Sequence, residues 1–456
     1  MTTTAPANPF LAGNYAPVSD EITATDLEVR GRLPEALTGR YLRTGPNPHG
    51  APVEPYHWFL GNGMIHGIEL AGGRARWYRN RWVRTSAISA AMGESPVAGP
   101  AQPMYDESNT NVIGYAGRIL SLTEGCYPYE LSNELDTLRR FTPTSGTLPR
   151  GLTAHPKIDP LTGDLHGFSY WWEAPYCYYH VIRPDGTVAV SEPIDLPQPV
   201  SMHDFAITRE HVLFFDQPYL FDLEAAMQHG FPFRWAPELG ARVGVLRRGD
   251  PGSQIRWFET ETCYCFHPMN AYDTDRGDAG ASTIVVDVPK MDSVGTGAAP
   301  KPSSLTLERW TIDVAAGVVK QDVIDDAPQE FCRVNESVLA SQHGYGYTIA
   351  TGLGAGDLPY AATRTYKHDF VAGTREVHEF GAGLHPGEFV FVADPERGGA
   401  EDGGWLMGLV HDDAADRTRL TLLDAQDFAG DPVAEVILPR RVPYGFHGNW
   451  IPDTVA

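Results

Sequence analysis

Short apolar runs of five to eight residues recur along the whole chain, and turn residues or charges bound almost every one. GRILSLTEG, HVLFFDQP, STIVVDVP, LTLERWTIDV, GYGYTIAT, EFVFVADP, GGWLMGLVHD and RLTLLDA read as β-strands, since β-branched and aromatic residues fill such runs and turn residues end them. In ILSLTEG the alternation puts Leu120, Leu122 and Glu124 on one face. Helical character is confined to LFDLEAAMQHG (220–230) and, more weakly, AISAAMGE (87–94). The 37 prolines and 47 glycines are scattered, and no glycine-rich linker marks a boundary. The pattern predicts an all-β chain: packed sandwiches, a large barrel or a propeller. Only a propeller surrounds an axis, so that strands far apart in sequence aim side chains at one point.

Composition narrows the partners. The chain of 456 residues is 42% hydrophobic, ample for a sizeable core, but it holds no apolar run of about 18 residues that would span a membrane. Its opening, MTTTAPANPFLAGNYAP, lacks the basic start and apolar stretch of a secretory signal; residues 1–20 are expected to form a loose polar arm. Lysine and arginine total 35 against 58 acidic residues, a net charge of -23. Such a surface repels phosphate backbones and excludes nucleic acid as a partner. It also opposes broad docking on anionic lipid. Five scattered cysteines fit reduced thiols and a cytoplasmic location better than a disulfide framework.

Among sixteen histidines, most read as surface or hydrogen-bonded imidazoles; His229, His368 and His378 are of that kind. Four share another context: His155 in LTAHPKID, His203 in SMHDFAI, His267 in CYCFHPMNAYD and His447 in YGFHGNW. Each lies beside a short apolar or aromatic run and is followed by Pro, Asp or Gly, residues that end strands. They are separated by 48, 64 and 180 residues, so only the fold can bring them together. Neutral imidazoles suit Fe, Zn, Cu or Ni. Four of them leave a dication's charge uncompensated, a deficit that carboxylates on the far ring nitrogens offset. Glu124, Glu330 in PQEFCRVN and Glu388 in EFVFVADP occupy comparable strand-end positions. Cys263 and Cys265 share a strand face with His267, but no second cysteine pair completes a thiolate zinc site. They read as buried free thiols.

The ordered motifs GRYLRTGPNP (39–48), HWFLGNGMIHGIEL (57–70), NRWVRT (80–85), SNTNVI (108–113) and LTEGCYPYEL (122–131) continue through TAHPK, MHDF, FHPMNAYD and EFCRVN. They close with GEFVFV, EDGGWLMGLVHD and FHGNW. Together they resemble the carotenoid cleavage oxygenases, a family that includes apocarotenoid oxygenases, plant epoxycarotenoid dioxygenases, the retinal-pigment isomerase and stilbene-cleaving dioxygenases. The resemblance covers almost the whole chain. It implies a single seven-bladed β-propeller over 1–456, with a dome of loops and short helices above an axial metal. It implies one Fe(II) per chain on His155, His203, His267 and His447. It also implies outer carboxylates pairing Glu124 with His203, Glu330 with His267 and Glu388 with His447, while His155 has none. Glu401 in EDGGW rivals Glu388 and is expected to be exposed instead.

The implied reaction is oxidative cleavage of a conjugated C=C by O2, giving two carbonyl products from a hydrophobic polyene. Thr123 and Phe266 are expected to line the substrate cavity, with Tyr105 from the dome. Stilbene-cleaving relatives carry a lysine where this chain has Thr123, and tend to end in VHGNW where this one has FHGNW. Both departures favour a carotenoid or apocarotenoid over a stilbene. An isomerohydrolase using the metal as a Lewis acid, or a lipid-binding propeller, are rival readings from other classes. The first lacks its expected cysteines here, and the second has no use for four ligands and three acids. The stretch 218–235, with Leu220, Phe221, Leu223, Met227, Phe231, Phe233 and Trp235, is expected to contact a membrane transiently.

Overall fold

A computed structural model describes residues 8–52, 56–102, 106–229, 231–274, 283–294, 304–351 and 363–453. Seven antiparallel sheets of four or five strands form the blades of a propeller, and a two-stranded ribbon lies outside them. The strands read from the sequence are present: for example Arg118–Leu122, His211–Asp216, Leu305–Asp313, Gly404–Asp412 and Arg417–Asp424. Many read as continuous apolar runs because both faces of a blade are covered by its neighbours. All but the last residue of Gly404–Asp412 are buried.

The core is divided among the gaps between blades. Tyr41 and Ile68 of one blade pack on Met407 and Leu420 of the next, and Leu42 and Ile65 meet Val112 and Ile119 on the other side. Equivalent clusters join each further pair of neighbours, which closes the ring. Both ends of the chain take part in closure. Gly448–Pro452 pairs with Gly39–Pro46, and Ala434–Ile437 pairs with Glu28–Gly31. The C-terminal segment is therefore an integral strand of the ring.

One edge strand of each sheet faces the axis: Asn111–Tyr115, Lys157–Ile158, Phe205–Ile207, Asn270–Asp273, Gln329–Arg333, Leu384–Ala393 and Gly448–Pro452. They, or residues just before them, line an axial cavity of about 950 Å³. Four of these strands are entered through a histidine one to three residues earlier, and two others carry a glutamate.

Two expectations change. The arm over 1–20 is not loose from Asn8 onward; residues 1–7 lie outside the described residues. Val18 and Asn47 exchange hydrogen bonds of 2.7 and 2.9 Å, Arg441 donates to the Ala16 carbonyl at 2.6 Å, and Tyr15 is buried edge-on against Trp58. Apolar Tyr15 and Val18 anchor an otherwise polar segment. The second helix is Leu223–His229, shorter than the 220–230 read from sequence, because Tyr219–Phe221 pairs with Phe233–Trp235 as the outlying ribbon. The first helix, Ser86–Met92, is capped by the Thr85 hydroxyl accepting from the Ile88 N–H and ends at Gly93 in the left-handed region.

Candidate metal centre

The four histidines converge. One ring nitrogen from each of His155, His203, His267 and His447 lies within 4.8 Å of the corresponding atom of every other, and no other group of this kind is found among the described residues. Backbone contacts aim them. His447 donates its N–H to the Thr110 carbonyl at 3.1 Å and accepts from the Thr44 N–H at 3.1 Å. The His155 N–H is bonded to the Thr153 hydroxyl at 3.0 Å.

The far ring nitrogens meet carboxylates in the expected pairs. His203 Nδ1 lies 2.5 Å from Glu124, His267 Nδ1 2.6 Å from Glu330 and His447 Nδ1 2.9 Å from Glu388. His155 Nδ1 has no such bond; the nearest acid, Asp204, is 4.0 Å away and engaged by Lys157 at 2.9 Å. Irregular backbone delivers two of these acids. Pairing registers shift between Glu330 and Arg333 and between Pro386 and Phe389, and such bulges re-aim side chains out of the ladder. Glu124 is placed by a turn that continues into Gly125 at φ 70°. Glu401, expected to be exposed, is half-buried instead: its carboxylate accepts from the Gly344 and Tyr345 backbone N–H groups, away from the imidazoles.

Glu388 is the most firmly held acid. Its oxygens accept from His447, from the Gly448 N–H at 3.0 Å, and from Arg333 at 2.8 and 3.1 Å. Burial pushes its pKa up, but Arg333 and His447 outweigh that and hold the carboxyl well below the usual range. Burial lowers His203 too, yet Glu124 reverses the sign and raises it. His155, without a carboxylate, is lowered well below an ordinary imidazole by burial and by its three neighbours.

These contacts test whether an ion fits. With the Nδ1 protons directed at carboxylates, the inward Nε2 atoms present lone pairs. Yet His155 Nε2 lies 3.0 Å from His203 Nε2, which lies 3.1 Å from His267 Nε2. For His203 and His267, whose Nδ1 atoms both face carboxylates, lone pairs so close repel unless a cation lies between them. An ion about 2.1 Å from each nitrogen gives a spacing of roughly 3.0 Å for ligands at right angles, against roughly 3.4 Å for a tetrahedron. The two spacings of 3.0 and 3.1 Å are those of ligands at right angles about a shared cation.

An aromatic cluster adjoins the cage. Phe266 stands edge-on to His203 at 5.3 Å, and contacts continue through Tyr264, Tyr219, Phe231, Phe59 and Phe446. Phe331 stacks on His267 at 5.3 Å and sits equally close to His447. Its backbone is left-handed at φ 56°, a strained state for a bulky residue. The clue in sequence was only its place between Glu330 and Arg333. Thr123 is buried, with its hydroxyl 3.2 Å from Thr110 and 3.4 Å from Asn109. Tyr105 lies outside the described residues.

Cys263 and Cys265 are buried and outside any disulfide, as are the other three cysteines. His368 and His378 are buried and hydrogen-bonded, to Gln329 and to the Phe428 carbonyl; the His229 side chain lies outside the description.

A propeller whose axis carries four imidazoles backed by carboxylates defines the class. The family model described as retinal pigment epithelial membrane protein matches residues 15–452. A carotenoid cleavage oxygenase of Mycobacterium tuberculosis is 42% identical over 98% of each chain. A carotenoid 9,10(9',10')-cleavage dioxygenase of Phaseolus vulgaris is 32% identical over 97% of this chain and 89% of its own. The crystal structure of Pseudomonas brassicacearum lignostilbene dioxygenase superposes with a TM-score of 0.88 at 28% identity, covering 99% of this chain and all of that one. This chain belongs to the carotenoid cleavage oxygenase family, and it is an oxygenase.

Proposed function

We propose that the protein is a non-haem Fe(II) dioxygenase that cleaves a conjugated C=C of a carotenoid or apocarotenoid with O2, giving two carbonyl products. The observation that carries this reading is the inward convergence of four ring nitrogens while three outer nitrogens meet carboxylates. His155, His203, His267 and His447 would hold the iron, one per chain. When bound, it supplies the electron transfer by which triplet O2 becomes reactive toward a closed-shell alkene. Glu124, Glu330 and Glu388 keep each Nδ1 protonated and each Nε2 free to ligate. Phe266 and Phe331 exclude water and hold an extended polyene against the open side. Both oxygen atoms end in product, so no external reductant is required.

A stilbene is the second reading, favoured by the close superposition on a lignostilbene dioxygenase. Thr123 opposes it: an uncharged side chain, already hydrogen-bonded to Thr110, offers no cation to a phenolate. Incubating the Fe(II) protein in air with β-carotene, apocarotenals and resveratrol-type stilbenes, with products identified by mass spectrometry, decides the matter. Aldehydes from polyenes alone support the first reading; aldehydes from stilbenes alone replace it with the second.

Phe266→Ala is expected to raise KM for a polyene about tenfold, since it removes an aromatic wall worth roughly 1.5 kcal/mol beside the cage. The iron content should stay unchanged. An unaltered KM removes Phe266 from the substrate path.

We also propose transient membrane contact by a surface smaller than the stretch 218–235. Leu220 is buried, and Phe221, Phe231, Phe233 and Trp235 are half-buried in aromatic contacts; Leu223 and Met227 stand out, 64% and 71% exposed. No helix among the described residues is long and apolar enough to cross a membrane. Replacing Leu223 and Met227 together by Ser should weaken sedimentation with neutral phosphatidylcholine vesicles several-fold; equal sedimentation rules out this surface. The five buried thiols fit a reducing, cytoplasmic setting.

A further inference from the structure

Arg333 hydrogen-bonds to Glu388 and Gly448 and not to the four imidazoles, so it is tied to the cage through one carboxylate. Its guanidinium forms a two-pronged bond to Glu388, with Nε 2.8 Å from one oxygen and the terminal nitrogen 3.1 Å from the other. The same nitrogen donates to the Gly448 carbonyl at 2.8 Å. Glu388 in turn accepts from His447. Neither Glu124 nor Glu330 has a comparable cationic partner among the described residues, and one oxygen of Glu330 is buried without any hydrogen bond. The asymmetry calls for an explanation.

Charge supplies one. The acids that contact the imidazoles carry three negative charges, and Arg333 brings one positive charge. Lys157 and Asp204, paired at 2.9 Å beside His155, cancel each other. Glu336 also meets Arg333, at 3.3 Å, but is 61% exposed, so solvent screens it. A dication therefore makes the ensemble neutral. A trication leaves one uncompensated positive charge in a buried place, the costly situation. Without Arg333 the order reverses: the trication becomes neutral and the dication leaves one negative charge.

We infer that Arg333 is a positioning residue that, through Glu388 and His447, holds the caged iron in its divalent state. The inference rests on the iron reading above. The divalent ion is the one that can give up an electron, so a residue that opposes resting oxidation protects the reactive form. The arginine lines the axial cavity together with Glu388 and His447. Guanidinium suits the task because it stays protonated and matches a carboxylate's two oxygens.

The test compares wild type, Arg333→Gln, Arg333→Lys, Glu388→Gln and the double variant Arg333→Gln/Glu388→Gln. Each is loaded anaerobically with Fe(II), analysed for iron and titrated for its Fe(III)/Fe(II) potential. Arg333→Gln should shift the one-electron equilibrium toward Fe(III) by roughly tenfold, or ~59 mV, and speed air oxidation of the resting protein. Glu388→Gln should shift it the opposite way. The double variant restores neutrality and should return near wild type, as should Arg333→Lys. A merely structural arginine would lower iron content and leave the potential unmoved. The inference is overturned if iron-replete Arg333→Gln matches wild type, or if Glu388→Gln moves the potential in the same direction as Arg333→Gln. Should Arg333→Gln not fold, Glu388→Gln and Arg333→Lys still decide it, through a positive shift and no shift respectively. A wild-type chain that takes up no iron fails earlier, and sinks the metal assignment instead.

Discussion

Replacing His447 by alanine should remove both iron retention and alkene cleavage while leaving the propeller folded. The fold survives because the strand after this residue keeps its pairing with Gly39–Pro46. The backbone bonds of residue 447 to Thr110 and Thr44 do not involve the imidazole. Glu388 is not orphaned either, since Arg333 and the Gly448 N–H still hold it. What disappears is one of the four imidazoles proposed to hold the iron, along with the donor that Glu388 orients. Activity is expected to fall to background, with iron content well below one per chain. Circular dichroism should match wild type. Turnover retained with stoichiometric iron would take His447 out of the ligand set.

Glu330→Gln should weaken iron retention by roughly 10–100-fold, the usual cost of losing an outer partner of a ligating histidine. The sign follows from charge and tautomer together. The carboxylate accepts from His267 Nδ1 at 2.6 Å and from the Phe331 N–H at 2.5 Å. An amide removes one negative charge from the cage. It can also turn its NH2 toward His267, which favours the wrong tautomer for ligation. Competition with a chromophoric chelator reads the change directly. An unchanged iron affinity would mean that the 2.6 Å contact plays no part in holding the ion.

Much of this centre was legible in the sequence, for a physical reason. A residue at the axial edge of a blade needs a short apolar strand beside it and a turn to stop it. His155, His203, His267 and His447 all carry that local mark, as do Glu124, Glu330 and Glu388. The pairing of acids with histidines came only through family resemblance, since nothing in spacing connects residues 388 and 447. Arg333 and Asp204 escaped notice because their meaning depends on partners brought in by other blades, Glu388 for one and Lys157 for the other. Phe331 was hidden by a bulge, whose backbone conformation leaves no compositional trace.

Local composition says less about packing at two places. An N-terminal arm rich in Thr, Ala, Pro and Asn looked unable to pack, yet Tyr15 and Val18 suffice to pin it from Asn8 onward. In the aromatic stretch 218–235 antiparallel pairing turns most of the rings against Tyr219 and Tyr264, and leaves Leu223 and Met227 as the exposed apolar residues. An apolar run does not reveal whether its side chains meet lipid or each other; the partner strand decides.

The central claim is that four imidazoles from four separate blades share one ion and leave it room for gas. Iron K-edge X-ray absorption on the anaerobically loaded protein, combined with metal analysis, tests this most directly. The account predicts about one iron per chain, six-coordinate, with the outer-shell scattering of four imidazole rings. Iron bound with two or fewer imidazoles, or a fully active chain carrying no iron, would contradict it.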